Sequence, residues 1–330
     1  MWDNLFKLIV KVSSVEPKYN KNHCLAYKSS TAACTKCQDI CPHEAISFKL
    51  GKEVVIDDIE CSGCGLCVQV CPSQALEAKV NYQSGTDIRC SKVKGSSQSV
   101  QCLARLNHID MLRLAGSKQK FVMARANCSN CNIGSEQVLS VLEDNKKQAL
   151  ELAEFLNRKF EVDIIETKEY SAINNPDSIS RRDLLRGGWR GLQLGASDIL
   201  EPFDPGEDDH GILPKEMQYQ KQIISLAKPE AQDLVPWRLP RVNDSCIMCP
   251  VCSNVCPTNA FSRDFEPEDL DGTVLLIEPD HCNACNGCVT ACPVAAIEMD
   301  EEVSWEELTG GKKTAFYKDP STSKDENIAR

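Results

Sequence analysis

The run Cys61-Ser62-Gly63-Cys64-Gly65-Leu66-Cys67-Val68-Gln69-Val70-Cys71-Pro72 sets four cysteines at gaps of two, two and three residues and closes on a proline. The same spacing returns at Cys246, Cys249, Cys252 and Cys256-Pro257, and again at Cys282, Cys285, Cys288 and Cys292-Pro293. A fourth group keeps the tail, Cys34, Cys37 and Cys41-Pro42, but its leading cysteine, Cys24, lies well upstream. All four continue alike, as His43-Glu44-Ala45-Ile46, Ser73-Gln74-Ala75-Leu76, Thr258-Asn259-Ala260-Phe261 and Val294-Ala295-Ala296-Ile297. This is an internal repeat, used twice as a pair.

A cubane iron–sulfur cluster needs four thiolates around it, and one tight turn can supply three. Two-residue gaps keep those thiolates on one side while the turn's N–H groups point at the cluster, a buried anion that is costly without donors. Gly63, Gly65 and Gly287 sit in these turns, where a missing Cβ permits positive φ and close backbone approach. The proline after each fourth cysteine biases that cysteine toward extended backbone, aiming its sulfur away from its own turn. Structural zinc sites use pairs of close ligands rather than four in a row ending in Cys-Pro. A disulfide scaffold suits a short secreted chain, not one with long cysteine-free segments. Cluster assembly needs reduced thiols, so a cytoplasmic location is expected.

Both pairs resemble bacterial two-cluster ferredoxin modules, in which the fourth cysteine of each motif serves the other cluster. The resemblance covers roughly residues 20–80 and 238–300 and implies four [4Fe-4S] clusters. Carried onto this sequence, cluster 1 takes Cys24, Cys34, Cys37 and Cys71, and cluster 2 takes Cys61, Cys64, Cys67 and Cys41. Cluster 3 takes Cys246, Cys249, Cys252 and Cys292, and cluster 4 takes Cys282, Cys285, Cys288 and Cys256. Cys24 departs from the pattern, leaving a three-iron cluster or a different fourth group as the alternative at that site. His23, His43 and His281 flank ligand cysteines, but each motif already has four sulfurs, so they are read as neighbours of the ligands.

The 330 residues hold 37 Lys+Arg against 48 Asp+Glu, a net charge of −11. A nucleic-acid partner requires a basic excess, so that class is set aside. At 42% hydrophobic residues the chain can build cores. It contains no apolar run of about 20 residues, so no direct membrane span is expected. Residues 1–20 read as a docking segment, with Trp2, Leu5, Phe6, Ile9 and Val12 on one helical face and neither a signal peptide nor an anchor.

Between the modules, residues 81–170 alternate in type: a strand at Thr86–Cys90, a helix from Cys102 to Ala115 closed by Gly116, a strand at Phe121–Ala124, a helix over 138–160 and a strand at Val162–Ile165. The order β-α-β-α-β predicts a small parallel sheet whose strand ends gather at one edge. Cys90, Cys102, Cys128 and Cys131 would meet there as a fifth centre, iron–sulfur or zinc; the alternative is that some are ordinary buried small hydrophobes. Residues 171–237, punctuated by Pro176, Pro202, Pro205, Pro214, Pro229 and Pro236, read as a connector. Within it Ser180-Arg181-Arg182-Asp183-Leu184-Leu185-Arg186 resembles a twin-arginine export motif, but it is internal and lacks the following apolar region. Residues 304–330 read as a polar tail.

The expected architecture is α+β: dicluster modules at 21–80 and 238–303 flanking a small α/β domain. No phosphate loop, dinucleotide fingerprint or nucleophile–base motif is present, so a non-catalytic electron-transfer role is expected. The resemblance implies the iron–sulfur subunit of a multi-subunit oxidoreductase, of molybdopterin or anaerobic-respiratory type, with a catalytic subunit and a membrane subunit as redox partners. The alternatives are a maturation factor for a metalloenzyme, and a reductase with its catalytic centre at the middle cysteines.

Overall fold

The computed structural model describes residues 15–28, 34–50, 52–78, 82–167, 213–267 and 272–318. The face of Trp2 to Val12 and the Ser180–Arg186 motif lie outside them. In chain order the first module comprises β1 (Lys18–Tyr19), α1 (Leu25–Lys28), α2 (Lys36–Asp39), β2 (Ile46–Lys49), β3 (Glu53–Ile56), α3 (Leu66–Gln69) and β4 (Leu76–Glu77). Strict alternation drives the β2–β3 hairpin: Ile46 faces Ile56 and Phe48 faces Val54, while Ser47 and Val55 point outward. β1 and β4 pair antiparallel across the module.

The middle segment comprises β5 (Ile88–Cys90), β6 (Gln98–Val100), α4 (His108–Ala115), β7 (Lys120–Arg125), α5 (Gln137–Phe155) and β8 (Glu161–Glu166). Its four strands form one parallel sheet in the order β6-β5-β7-β8. β6 was not expected from the sequence. It follows β5 without a crossover helix, and Arg89 ties the hook by donating to the carbonyls of Ser97 (3.0 Å) and Val93 (2.6 Å). The expected helix start at Cys102 moves to His108. Cys102 opens a short 3₁₀ turn at Leu103–Arg105, and Asn107 then caps α4 through a reciprocal box with Asp110. Val138, Leu142, Ala149, Leu152 and Ala153 line the buried side of α5. With Ile88, Phe121 and Met123 they make the largest apolar core.

The expected connector contains α6 (Lys215–Leu226), whose Met217 and Ile224 are buried in that same core. The second module follows with β9 (Leu234–Val235), β10 (Leu239–Val242), α7 (Val251–Val255), β11 (Phe261–Asp264), β12 (Val274–Ile277), α8 (Gly287–Ala291) and β13 (Ile297–Asp300). The expected polar tail instead begins with β14 (Val303–Ser304), α9 (Trp305–Thr309) and β15 (Lys313–Tyr317). Ser304 caps α9, accepting from the Glu307 N–H at 3.1 Å, and β15 adds itself to β12. Val235, Trp237, Leu239, Val303 and Leu308 reach the middle core, so the second module shares apolar packing with the central sheet. No helix among the described residues is long and apolar enough to cross a membrane.

Candidate metal centres

The repeat in sequence is a repeat in backbone. Three residues after each Cys-Pro cysteine, Glu44, Gln74, Asn259 and Ala295 all adopt positive φ, at 52°, 55°, 55° and 49°. An L-residue enters this region at a cost of about 1–2 kcal/mol, so the turn must return something. What it returns is a donor. The next N–H turns back onto the cysteine, from Ala75 to Cys71, Ala260 to Cys256 and Ala296 to Cys292, each at 3.2 Å to Sγ. The leading turns repeat a second kink, at Gly63 (68°), Met248 (57°) and Ala284 (54°). There the Met248 N–H reaches Cys246 Sγ at 3.4 Å. The Ser73 and Thr258 hydroxyls lie 3.8 and 3.6 Å from Cys71 and Cys256 Sγ.

These turns gather the cysteines into sets. Cys61, Cys64, Cys67 and Cys41 line one cavity of about 430 Å³. Cys246, Cys249, Cys252 and Cys292 line another of about 310 Å³. In both, the last member comes from the neighbouring motif. Burial, then Cys71, Cys24 and Cys34 around it, pushes the Cys37 thiol up to about 12. Cys288 is raised by burial and then by Cys282, Cys285 and Cys256. Cys24 reaches its place by the approach that Cys282 uses: a 3₁₀ turn (Lys21–His23, Pro279–His281) precedes each, and each cysteine N–H donates back to that turn's first carbonyl at 3.1 and 3.0 Å. Cys24 therefore stands in the leading position, with an insertion between it and Cys34.

Among the described residues no three His, Cys, Asp or Glu side chains close on one point as a single ion's ligands would. Four sulfurs spread around a cavity, with N–H donors aimed at them, fit a polynuclear iron–sulfide cluster and its negative charge. The histidines stand beside these sets. His43 Nε2 meets the Ile133 carbonyl at 3.0 Å, His23 lies buried 3.4 Å from the Asn20 amide, and His281 lies 3.1 Å from Glu278.

Two comparisons bear on this geometry. The family model of the 4Fe-4S dicluster domain matches residues 32–75 and 245–296. A ferredoxin of Rickettsia felis is 40% identical over 70 residues, 20% of this chain and 58% of that protein. Two bacterial-type dicluster ferredoxin modules are present. Ferredoxin-1 of Caulobacter vibrioides is 40% identical over 63 residues, 18% of this chain and 50% of its own length. The pyruvate synthase subunit PorD of Methanothermobacter marburgensis is 34% identical over 59 residues, 18% of this chain and 60% of its own length. The chain thus spans about half to six-tenths of these relatives. No solved structure matches. Both matched regions are thus similar to 4Fe-4S dicluster domains, and each contains the Cys-Pro repeat described above.

The two ferredoxin modules touch. Asn283 Nδ2 donates to the Ser73 carbonyl at 3.1 Å, Leu25 packs with Val255, and Gly287 lets Leu25 approach so closely that a Cβ there would lie 2.6 Å from its Cδ2. Cys71 of the first module is near enough to help raise the Cys285 thiol, after burial and Cys256.

The middle cysteines also meet. Cys90 ends β5, Cys102 follows β6, and Cys128 with Cys131 lies in the loop after β7. All four line one cavity of about 350 Å³. One functional residue was not anticipated. Arg105 is buried, lines the Cys61–Cys67 cavity, and donates to the carbonyls of Gly63 and Val15 at 2.9 Å each. Its sequence signal is a lone cation inside Leu103-Ala104-Arg105-Leu106.

Proposed function

We propose that the chain carries electrons through four [4Fe-4S] clusters as the iron–sulfur subunit of a larger oxidoreductase. The ligand sets are Cys24, Cys34, Cys37 and Cys71; Cys61, Cys64, Cys67 and Cys41; Cys246, Cys249, Cys252 and Cys292; and Cys282, Cys285, Cys288 and Cys256. The observation that carries this is the crossover: Cys41 and Cys292 each line the cavity of the neighbouring motif.

When bound, the clusters supply one-electron redox chemistry. The chain's own residues hold them in sequence. Cys34 of site 1 and Cys285 and Cys288 of site 4 pack against the same Leu25–Val255 contact between the modules, which supports one relay in the order 2, 1, 4, 3. N–H donors at Cys71, Cys256 and Cys292 stabilise negative charge at the junctions. The similarity to a named subunit of pyruvate synthase supports a role beside a catalytic partner, as does a net charge of −11 suited to docking on a basic surface. Reduced thiols for assembly favour the cytoplasm.

Anaerobic purification of the full chain, with assays for iron and acid-labile sulfide, tests the reading. At least about 16 of each per chain, and brown absorbance that bleaches on reduction, are expected. A pale protein with little iron after reconstitution would falsify it.

A further inference from the structure

We propose that Cys90, Cys102, Cys128 and Cys131 hold a fifth cluster, an iron–sulfur centre with four thiolate ligands, at the end of the relay beside Cys64.

The site is built from separate elements that nothing but the fold brings together. Cys90 and Cys102 flank the β5–β6 hook, while Cys128 and Cys131 come from the turn after β7. The parallel sheet puts these strand ends on one edge, where ligands of such sheets gather. They line one shared pocket, as the cysteines of two ferredoxin sites each do. No single-ion cluster of ligands forms here, just as none forms at the module sites. Four cysteine sulfurs around one pocket, two of them from one short turn, form a donor set that an iron–sulfur cluster takes.

The surroundings suit an anionic cluster. The Ile133 N–H donates to Cys131 Sγ at 3.5 Å, and Arg125 lines the cavity beside Cys128 while paired with Glu166 at 2.7 Å.

Its position follows from Gly134. A Cβ on Gly134 would lie 3.6 Å from Cys102 Sγ and 4.0 Å from Cys64 Cβ, so the two cysteines face each other across this one residue. The loop is pinned there from the first module, because Ser62 Oγ (2.5 Å) and His43 Nε2 (3.0 Å) both hold the Ile133 carbonyl. With both sites filled, one electron lost at the Cys64 centre is gained at the Cys102 centre; no bond changes and no proton moves. The electron supply rests on the proposed relay, but the metal content does not.

The test compares the full chain with Cys102→Ser and Cys128→Ser, all reconstituted anaerobically with ferrous iron and sulfide. Each variant should lose about a fifth of the iron and sulfide for a four-iron centre, or about a ninth for a two-iron centre. The magnetic coupling in the spectrum of the fully reduced wild type should lose its contribution from the cluster nearest Cys64. Cys128→Ser, in the half-exposed loop, decides the matter if Cys102→Ser fails to fold. Unchanged iron in Cys128→Ser would overturn the proposal, as would one zinc per wild-type chain that the variants lack. A chain with no iron at all would instead overturn the four-cluster reading.

Discussion

Replacing Arg105 with glutamine should lower the potential of the cluster it lines, and that of the neighbouring Cys102 centre, and leave the others in place. The Arg105 side chain is buried, lines the cavity of Cys41, Cys61, Cys64 and Cys67, and is anchored to Gly63 inside the ligand loop. Burial lowers its pKa, while Cys61, Cys102, Cys64 and Cys67 push it back up, so its charge faces the sulfurs. Reduction adds one negative charge to the cluster, and a fixed cation stabilises that state. Taking a separation of about 8 Å and an effective dielectric of about 20 gives about 2 kcal/mol. For one electron this is about 90 mV. Glutamine keeps an N–H donor for the Gly63 carbonyl; losing the contact to Val15 costs about 1–3 kcal/mol. A redox titration of the intact chain, followed by electron paramagnetic resonance, should show the component from the Cys61–Cys67 site moved negative by about 50–100 mV, with a shift of the same sign at the Cys102 centre. All potentials within about 20 mV of wild type, or a positive shift, would refute the assignment of Arg105 as the field at this site.

Three further outcomes follow from the same geometry. Leu25→Ala should open a void at the junction worth about 2–4 kcal/mol and slow redox equilibration between modules at unchanged iron content; an unaltered rate in flash-photolysis traces would count against the 1–4 junction. Thr258→Val removes the hydroxyl beside Cys256 and should lower one second-module potential by about 40 mV, the equivalent of about 1 kcal/mol, with no shift as the contrary result. Burial and then Asp110 raise the Glu216 carboxyl from 4.5 to about 7, although Asn107 opposes them; His108, 3.9 Å away, is pushed down by burial from 6.5 to about 4. The neutral acid is favoured in the fold, so its stabilisation is full below about pH 4.5 and is lost as pH rises through about 7. His108 acts in the opposite sense between its two values, so Glu216→Gln isolates the carboxyl. Intrinsic-rate-corrected amide protection of α6 should fall in wild type relative to the variant by about 1–2 kcal/mol from pH 5 to 8; parallel profiles would exclude it.

What the sequence disclosed tracks how local each constraint is. A ligand turn must present three sulfurs and several N–H groups within a dozen residues, so Cys61–Pro72 and its copies stand out. Cys24 is harder, because its partner turn begins after an insertion; the 3₁₀ approach it shares with Cys282 and its packing beside Cys37 appear only in the fold. β6 is three residues of Gln98-Ser99-Val100 at a sheet edge, with no apolar alternation to notice. β15 escaped for a similar reason: Lys313-Thr314-Ala315-Phe316-Tyr317 is polar at its start and only partly buried, its strand character coming from β12. α6 follows a proline-rich stretch and has a polar face, so it reads as connector until Met217 and Ile224 find the middle core. The meeting of the modules had no local signal, since Leu25, Asn283 and Gly287 become neighbours only through the tertiary fold.

The two kinds of core in this chain explain why the middle segment sits between the modules. In the first module Cys24, Cys37 and Cys67 are packed with Ile46, Val54 and Leu76; in the second, Cys252 is packed with Phe261, Leu275, Ile277 and Ile297. Ligands are thus much of the core, and units this small bury too little apolar surface to be stable unaided. Small domains built around metal ligands gain much of their folding free energy from the metal. The middle segment differs: Leu103, Leu106, Phe121, Met123 and Leu142 are fully buried carbon packing, in which cysteines are a minority. From that support Arg105 fixes the backbone at Gly63, Asn145 donates to Gln69 of α3 at 2.9 Å, and Ile133 accepts from Ser62. A rigid α/β body therefore positions the ligand loop of the first module. The same body shares its core with Val235, Trp237 and Leu239 at the start of the second. The middle core thus braces both modules, while the junction between them is the separate Leu25–Val255 contact.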